Sequence, residues 1–136
     1  MEVFEKTVTV QEVDLDQLEH VNNVRYIEWI QDISREHWEK RASKEIKKEV
    51  VWVVLSHHVQ YKAQARLGDI IRIKTFIEET RGAISVRAVE MRDANTDSLL
   101  VKSKTEWCLL GAKLLKPMRI SQEIRSLFEP NPKSIN

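Results

Sequence analysis

With 22 basic and 21 acidic side chains in 136 residues, and a formal net charge of +1, the chain has no global electrostatic pull toward nucleic acid or an anionic membrane. Its length suits one domain with a real core, and 42% hydrophobic against 32% charged residues, with only 3 Gly and 3 Pro, exclude long disordered or collagen-like stretches. The single cysteine, Cys108, has no intramolecular partner, which fits a reducing compartment and a buried, inert thiol.

The amino terminus lacks the basic and apolar regions of a signal peptide, and no apolar run approaches the roughly 20 residues that span a bilayer, so a cytoplasmic protein is expected. Residues 3–10 alternate weakly and predict a first strand with one face on the core. A polar cluster follows, running from Asp14 through Asp16, His20, Asn22 and Asn23 to Tyr26. Beyond it, Tyr26/Ile27, Ile30, Ile33 and His37/Trp38 recur at helical spacing and predict one long helix over about residues 23–42, capped by Asn22 or Asn23. The cluster is therefore a strand-to-helix connection. Free N–H groups and the positive end of the macrodipole at that helix start would stabilise an oxygen that gains negative charge, with Asp16 opposite it.

The run Val50-Val51-Trp52-Val53-Val54-Leu55 predicts a strand buried on both faces and central in a sheet, continuing through Lys62 to a turn at Arg66-Leu67-Gly68-Asp69. Residues 70–77 alternate at Ile71, Ile73, Thr75 and Ile77, and Thr80-Arg81-Gly82 turns the chain. Residues 83–91 alternate again at Ile84, Val86, Ala88 and either Glu90 or Met91. A loop at residues 93–97 leads into a last strand with Leu99, Val101, Ser103, Thr105 and Trp107 on one face and Lys102, Lys104 and Glu106 on the other. A short helix over residues 121–128 takes Ser121 as cap, and a frayed tail begins at Pro130.

This order predicts an α+β layer over residues 1–129, in which one long helix packs on a curved antiparallel sheet that includes a three-strand meander. Apolar sheet residues to spare predict a homodimer or a dimer-of-dimers tetramer, closed by edge pairing and helix-side packing.

Asp14-Leu15-Asp16, then His20-Val21-Asn22-Asn23, then Tyr26 and Trp29, resembles the signature of hotdog-fold acyl thioesterases, the branch joining plant acyl-carrier-protein thioesterases with 4-hydroxybenzoyl-CoA thioesterase-like enzymes. The element order agrees, including Val59-Gln60-Tyr61 ahead of Gly68-Asp69. The resemblance implies a hydrolase that splits acyl-CoA or acyl-carrier-protein thioesters into acid and thiol without a cofactor. Asp16 would match the aspartate that acts on the thioester carbonyl as nucleophile or general base. Against the plant pattern Asp-x-Asn-x-His, Asp16 and His20 match while Leu18 stands where Asn is expected, which suggests a drier site. A backbone N–H near Asn23 and Val24 would serve the oxyanion.

Each residue also has an ordinary structural role to weigh. Asp16 suits a loop aspartate, His20 a structural hydrogen bond, Asn23 a cap or a brace, and Asp14 a backbone acceptor. Tyr26 and Trp29, at helical spacing, suit the core as well as an acyl-pocket wall. Val24, Tyr26, Val59 and Tyr61 are the candidate acyl contacts. Lys62, Arg66, Arg72 and Arg81 form a candidate rim for coenzyme A phosphates or an acidic carrier protein, with a solvated face balanced by Glu78 and Glu79 as the alternative. His57-His58 point to opposite strand faces, and no metal site is expected. The rivals are a hotdog hydratase or dehydratase, moving protons with Asp16 and His20, and a non-catalytic acyl-binding module.

Overall fold

The computed structural model describes residues 1–129; the tail expected from Pro130 lies outside them. The chain runs β1 (Phe4–Thr9), a single 3-10 turn (Glu12–Asp14), α1 (Asn23–Arg41), α2 (Lys44–Glu49), β2 (Val50–Tyr61), β3 (Ile70–Arg81), β4 (Ile84–Asp93), β5 (Leu99–Gly111) and α3 (Gln122–Ser126). The strands form one antiparallel sheet in the order β1-β3-β4-β5-β2, with β3-β4-β5 as the expected meander.

α1 forms because nothing interrupts it. No Gly or Pro falls within it, the Asn22 side chain accepts from the Val24 N–H, and Lys40 and Arg41 in its last turn complement the macrodipole. Its buried side chains are Tyr26, Trp29, Ile30, Ile33, Ser34 and His37, and the first four form one core with Ile71, Ile73, Val89, Met91 and Val101 of the sheet. Each large apolar side chain buried in this way stabilises the fold by roughly 1.5–3 kcal/mol. Cys108 is buried, as expected. α2 was not expected: Ser43 caps it and Ile46 alone is buried, a periodicity too short to show among three lysines and two glutamates.

One expectation is overturned. β2 is an edge strand, paired among the described residues only with β5, and Val51, Val53 and Leu55 on it are 37%, 38% and 57% exposed. The strand buried on both faces is β4, where Ser85 through Val89 are all buried although the stretch contains an arginine, Arg87. A β-branched apolar run satisfies either position. Placement in the sheet depends on which long-range neighbours the strand finds.

β-Bulges fall between Val54 and Ser56 on β2 and between Ile77 and Glu79 on β3, at one level of the sheet. Bulges bend strands and increase local twist. At this level a cavity of about 440 Å³ lies between the second half of α1 and the sheet.

Candidate active site

The polar connection ahead of α1 is a tight turn tied by its own aspartate. Asp16 Oδ1 accepts from the backbone N–H of Leu18 (2.8 Å) and of His20 (3.2 Å), while the Asp16 N–H donates to the His20 carbonyl (2.7 Å). Glu19 completes the turn at a φ of +63°, a left-handed value that a non-glycine residue adopts at a cost. Bridges Leu15 to Val21 and His20 to Arg66 pin the turn at both ends. Asp14, buried beneath it, accepts from the Gln11 N–H and pairs with Arg25 Nε at 2.8 Å, the structural role expected of it.

Asp16 itself is exposed, and Oδ2 takes no part in the turn's bonds. His20 is half-buried and its ring Nδ1 is buried with no hydrogen-bond partner among the described residues. A buried imidazole nitrogen without a partner is uncommon, since the great majority of buried polar atoms are hydrogen-bonded. Leu18 is 74% exposed, so it supplies no dry wall within one protomer.

At the helix start, the Val24 N–H is already taken by the Asn22 side chain, and the Arg25 N–H by the Asn22 carbonyl. That leaves the Asn23 N–H as the open donor of this first turn, with Asn23 and Val24 both exposed. Tyr61, 42% exposed at the end of β2, reaches over the same turn with its hydroxyl 3.5 Å from the Asn23 carbonyl. Tyr26 is core: it is 2% exposed, stacks edgewise on Trp29 and accepts the buried Ala65 N–H on its hydroxyl. Val59 is half-buried against the same cluster.

The candidate basic rim divides. Arg72 pairs with Asp97, and Arg81 with Glu79 and Glu106, so these two are balanced on the sheet surface. Lys62 and Arg66 are exposed near the turn and form no ion pair among the described residues. The imidazole of His57 turns toward α1, with Nδ1 2.7 Å from Thr105 Oγ1 and Nε2 3.3 Å from Gln31. Among the described residues no group of three or more His, Cys, Asp or Glu side chains is disposed to hold a metal ion.

The sequence pattern missed a second polar centre, at the far end of α1. Arg87, 5% exposed on β4, donates from Nη1 to His37 Nδ1 (2.9 Å) and Thr75 Oγ1 (3.1 Å). An arginine only donates, so the facing His37 Nδ1 is an acceptor and the ring is neutral, its Nε2–H directed at Glu2 Oε1 (2.6 Å). Burial pushes the His37 pKa down, and the Arg87 charge adds to that against the pull of Glu2. Burial raises Glu2, yet bonds from Arg41 and His37 outweigh it and hold the carboxyl below its usual range. Burial lowers the Arg87 guanidinium to about 10, so it stays charged at neutral pH. Phe4 and Phe128 pack on the His37 ring. A charged residue amid alternating apolar positions on a predicted strand was the available signal for this centre.

One antiparallel sheet with a single long helix, and a polar turn at that helix's start, defines the hotdog thioesterase class. The E. coli YbaW probable thioesterase superposes with a TM-score of 0.82 at 19% identity over 90% of this chain and 94% of that one. The 12:0-ACP thioesterase of Umbellularia californica gives 0.81 at 18% identity, covering 95% of this chain and 51% of that one. Residues 1–128 match the family model of the acyl-ACP thioesterase N-terminal domain, and the chain belongs to that family. A chloroplastic palmitoyl-acyl carrier protein thioesterase of Cuphea hookeriana is 23% identical over 91 residues, 67% of this chain. The chain spans 22% of that relative's length. No helix among the described residues is long and apolar enough to cross a membrane.

Proposed function

We propose that residues 1–129 are one catalytic domain that hydrolyses an acyl thioester of coenzyme A or acyl carrier protein to a free acid and a thiol. The observation that carries this reading is the family match across residues 1–128, which includes the whole polar turn and the helix behind it. Asp16 acts on the thioester carbonyl carbon, by direct attack or by taking a proton from the attacking water. The negative charge that develops on the carbonyl oxygen is met by the Asn23 N–H and the positive end of α1. Collapse of the tetrahedral species breaks the C–S bond. With water as the nucleophile the acid forms at once, and the proton that Asp16 took from that water goes to the departing thiolate. Direct attack gives instead an acyl–Asp16 anhydride, which a water then hydrolyses to the free acid, while the thiolate takes its proton from solvent. His20, with its free Nδ1, lies beside this path to orient water or the leaving group, and Lys62 and Arg66 meet the carrier's phosphates. Val24, Tyr61 and Val59 line the approach to the carbonyl.

In one protomer Asp16 faces solvent, so the site needs a second wall. We take that wall to be another copy of this chain. β2 presents an unpaired twelve-residue edge with exposed Val51, Val53 and Leu55, the kind of edge that monomers normally blunt. Antiparallel pairing of two such edges about the bulge near Leu55 would set a partner's helix start beside Val50 and Val51. Sedimentation of wild type and Leu55→Arg tests this: a dimer that dissociates in the variant supports it, and a monomeric wild type overturns it.

Thiol release from saturated acyl-CoA and acyl-carrier-protein substrates tests the activity itself and separates it from a hydratase. The exposure of Asp16 favours one rival, a non-catalytic acyl-binding module. Wild type that binds acyl-CoA yet releases no more thiol than Asp16→Ala would establish that rival.

A further inference from the structure

The cavity beneath the second half of α1 is closed at its inner end by charge rather than by hydrocarbon. Its walls include Trp38, Trp52 and Val54, but its buried floor is Ser34, Ser85 and Arg87, with Trp107 alongside. Both side-chain bonds that Arg87 makes among the described residues leave from Nη1, so the rest of the guanidinium fork has no protein acceptor there. The indole N–H of Trp107 is likewise buried without an acceptor among the described residues. Among the described residues no carboxylate pairs with Arg87 directly. The nearest anion in the network, Glu2, lies on the far side of neutral His37 and is already gripped by Arg41 at 2.6 and 2.7 Å. Two guanidinium charges therefore share one carboxylate, and the unbalanced one faces the cavity.

We propose that this cavity receives a carboxylate at the far end of the substrate's acyl chain, so that the preferred substrates are monothioesters of dicarboxylic acids. The proposal rests on the thioesterase reading for the reaction and on this cavity for the selectivity. A terminal carboxylate accepts from the free edge of the Arg87 fork and from Trp107, while its methylenes lie against Trp38, Trp52 and Val54. A methyl-ended chain of the same length drives water from Arg87 and leaves its charge bare. Sites built to hydrogen-bond a substrate group discriminate steeply against analogues that lack it.

The test compares thiol release from saturated acyl-CoA esters with that from their ω-carboxylated counterparts of equal length, alongside calorimetric binding of dodecanedioate and dodecanoate. We expect kcat/KM to favour the ω-carboxylated ester by at least about tenfold, a preference lost in Arg87→Met and reduced in Trp107→Phe, which keeps the ring and removes only the N–H. Should Arg87→Met fail to fold, Trp107→Phe decides the point, since a purely packing role for this indole leaves the ratio unmoved. Equal rates for the two esters, or a preference that survives both substitutions, overturn the proposal while leaving the thioesterase reading intact. If no ester of either kind releases thiol, that reading falls. Calorimetry then still decides the cavity: tighter binding of dodecanedioate in wild type alone upholds it, and equal binding of the two acids refutes it.

Discussion

The two ends of α1 carry opposite kinds of polar chemistry. At its start, Asp16, Asn23 and Tyr61 are exposed, and the Asp16 carboxylate is held by backbone N–H groups two and four positions away. In its second half His37 is fully buried and linked to Arg87 from a strand fifty residues away and to Glu2 from the amino terminus. The proposed catalytic carboxylate is thus accessible, and its own side-chain bonds are local. A group that sets the shape and charge of a cavity is locked in from several directions, where one lost partner leaves a buried charge short of an acceptor.

The sharpest way to break this contrast is to remove one polar group at each end. Asp16→Asn keeps an oxygen for the Leu18 and His20 N–H groups, so the melting temperature should hardly move while thiol release falls at least about a hundredfold. His37→Leu should do the reverse in thermal or urea unfolding. Arg87 loses one of its two side-chain acceptors inside the protein and keeps only Thr75, at a cost of about 1–3 kcal/mol. An Asp16→Asn variant that unfolds early, or a His37→Leu variant as stable as wild type, would show that the two ends are not distinct.

Tyr26 lies between them and probes the frame they share. Tyr26→Phe leaves the buried Ala65 N–H unpaired and should cost about 1–3 kcal/mol in denaturant unfolding. Asn22→Ala removes the cap on the Val24 N–H and should cost about 1 kcal/mol. That freed N–H would also compete for the oxyanion, so kcat should move more than the melting point does.

The smallest effect is in pH. The folded-state pKa of His37 is depressed, so below its ordinary value of 6.5 the unfolded chain takes up a proton that the folded one refuses. Stability is therefore full above about pH 6.5 and declines as the pH falls below it. His57, lowered by burial as well, adds to the decline in the same direction. The fall in melting temperature between about pH 6.5 and 5 should be shallower in His37→Gln than in wild type. An equal slope in both proteins would place the titration elsewhere.

Local signals were enough for much of this molecule. The cap at Asn22, the uninterrupted α1, the turn at Gly68 with its φ of +85° and the β3-β4-β5 meander are each dictated by residues within a few positions of one another. The turn bearing Asp16, His20 and Asn23 was legible for the same reason. Sheet order was not. The valine run of β2 reads as a central strand and lies at the edge, while β4 is central despite Arg87. Periodicity records which side chains share a face, but it carries no record of which strand becomes the neighbour. The Glu2–His37–Arg87 chain and the cavity it closes join residues 35 and 50 positions apart, so only the packing of α1 and the amino terminus onto the sheet brings them together.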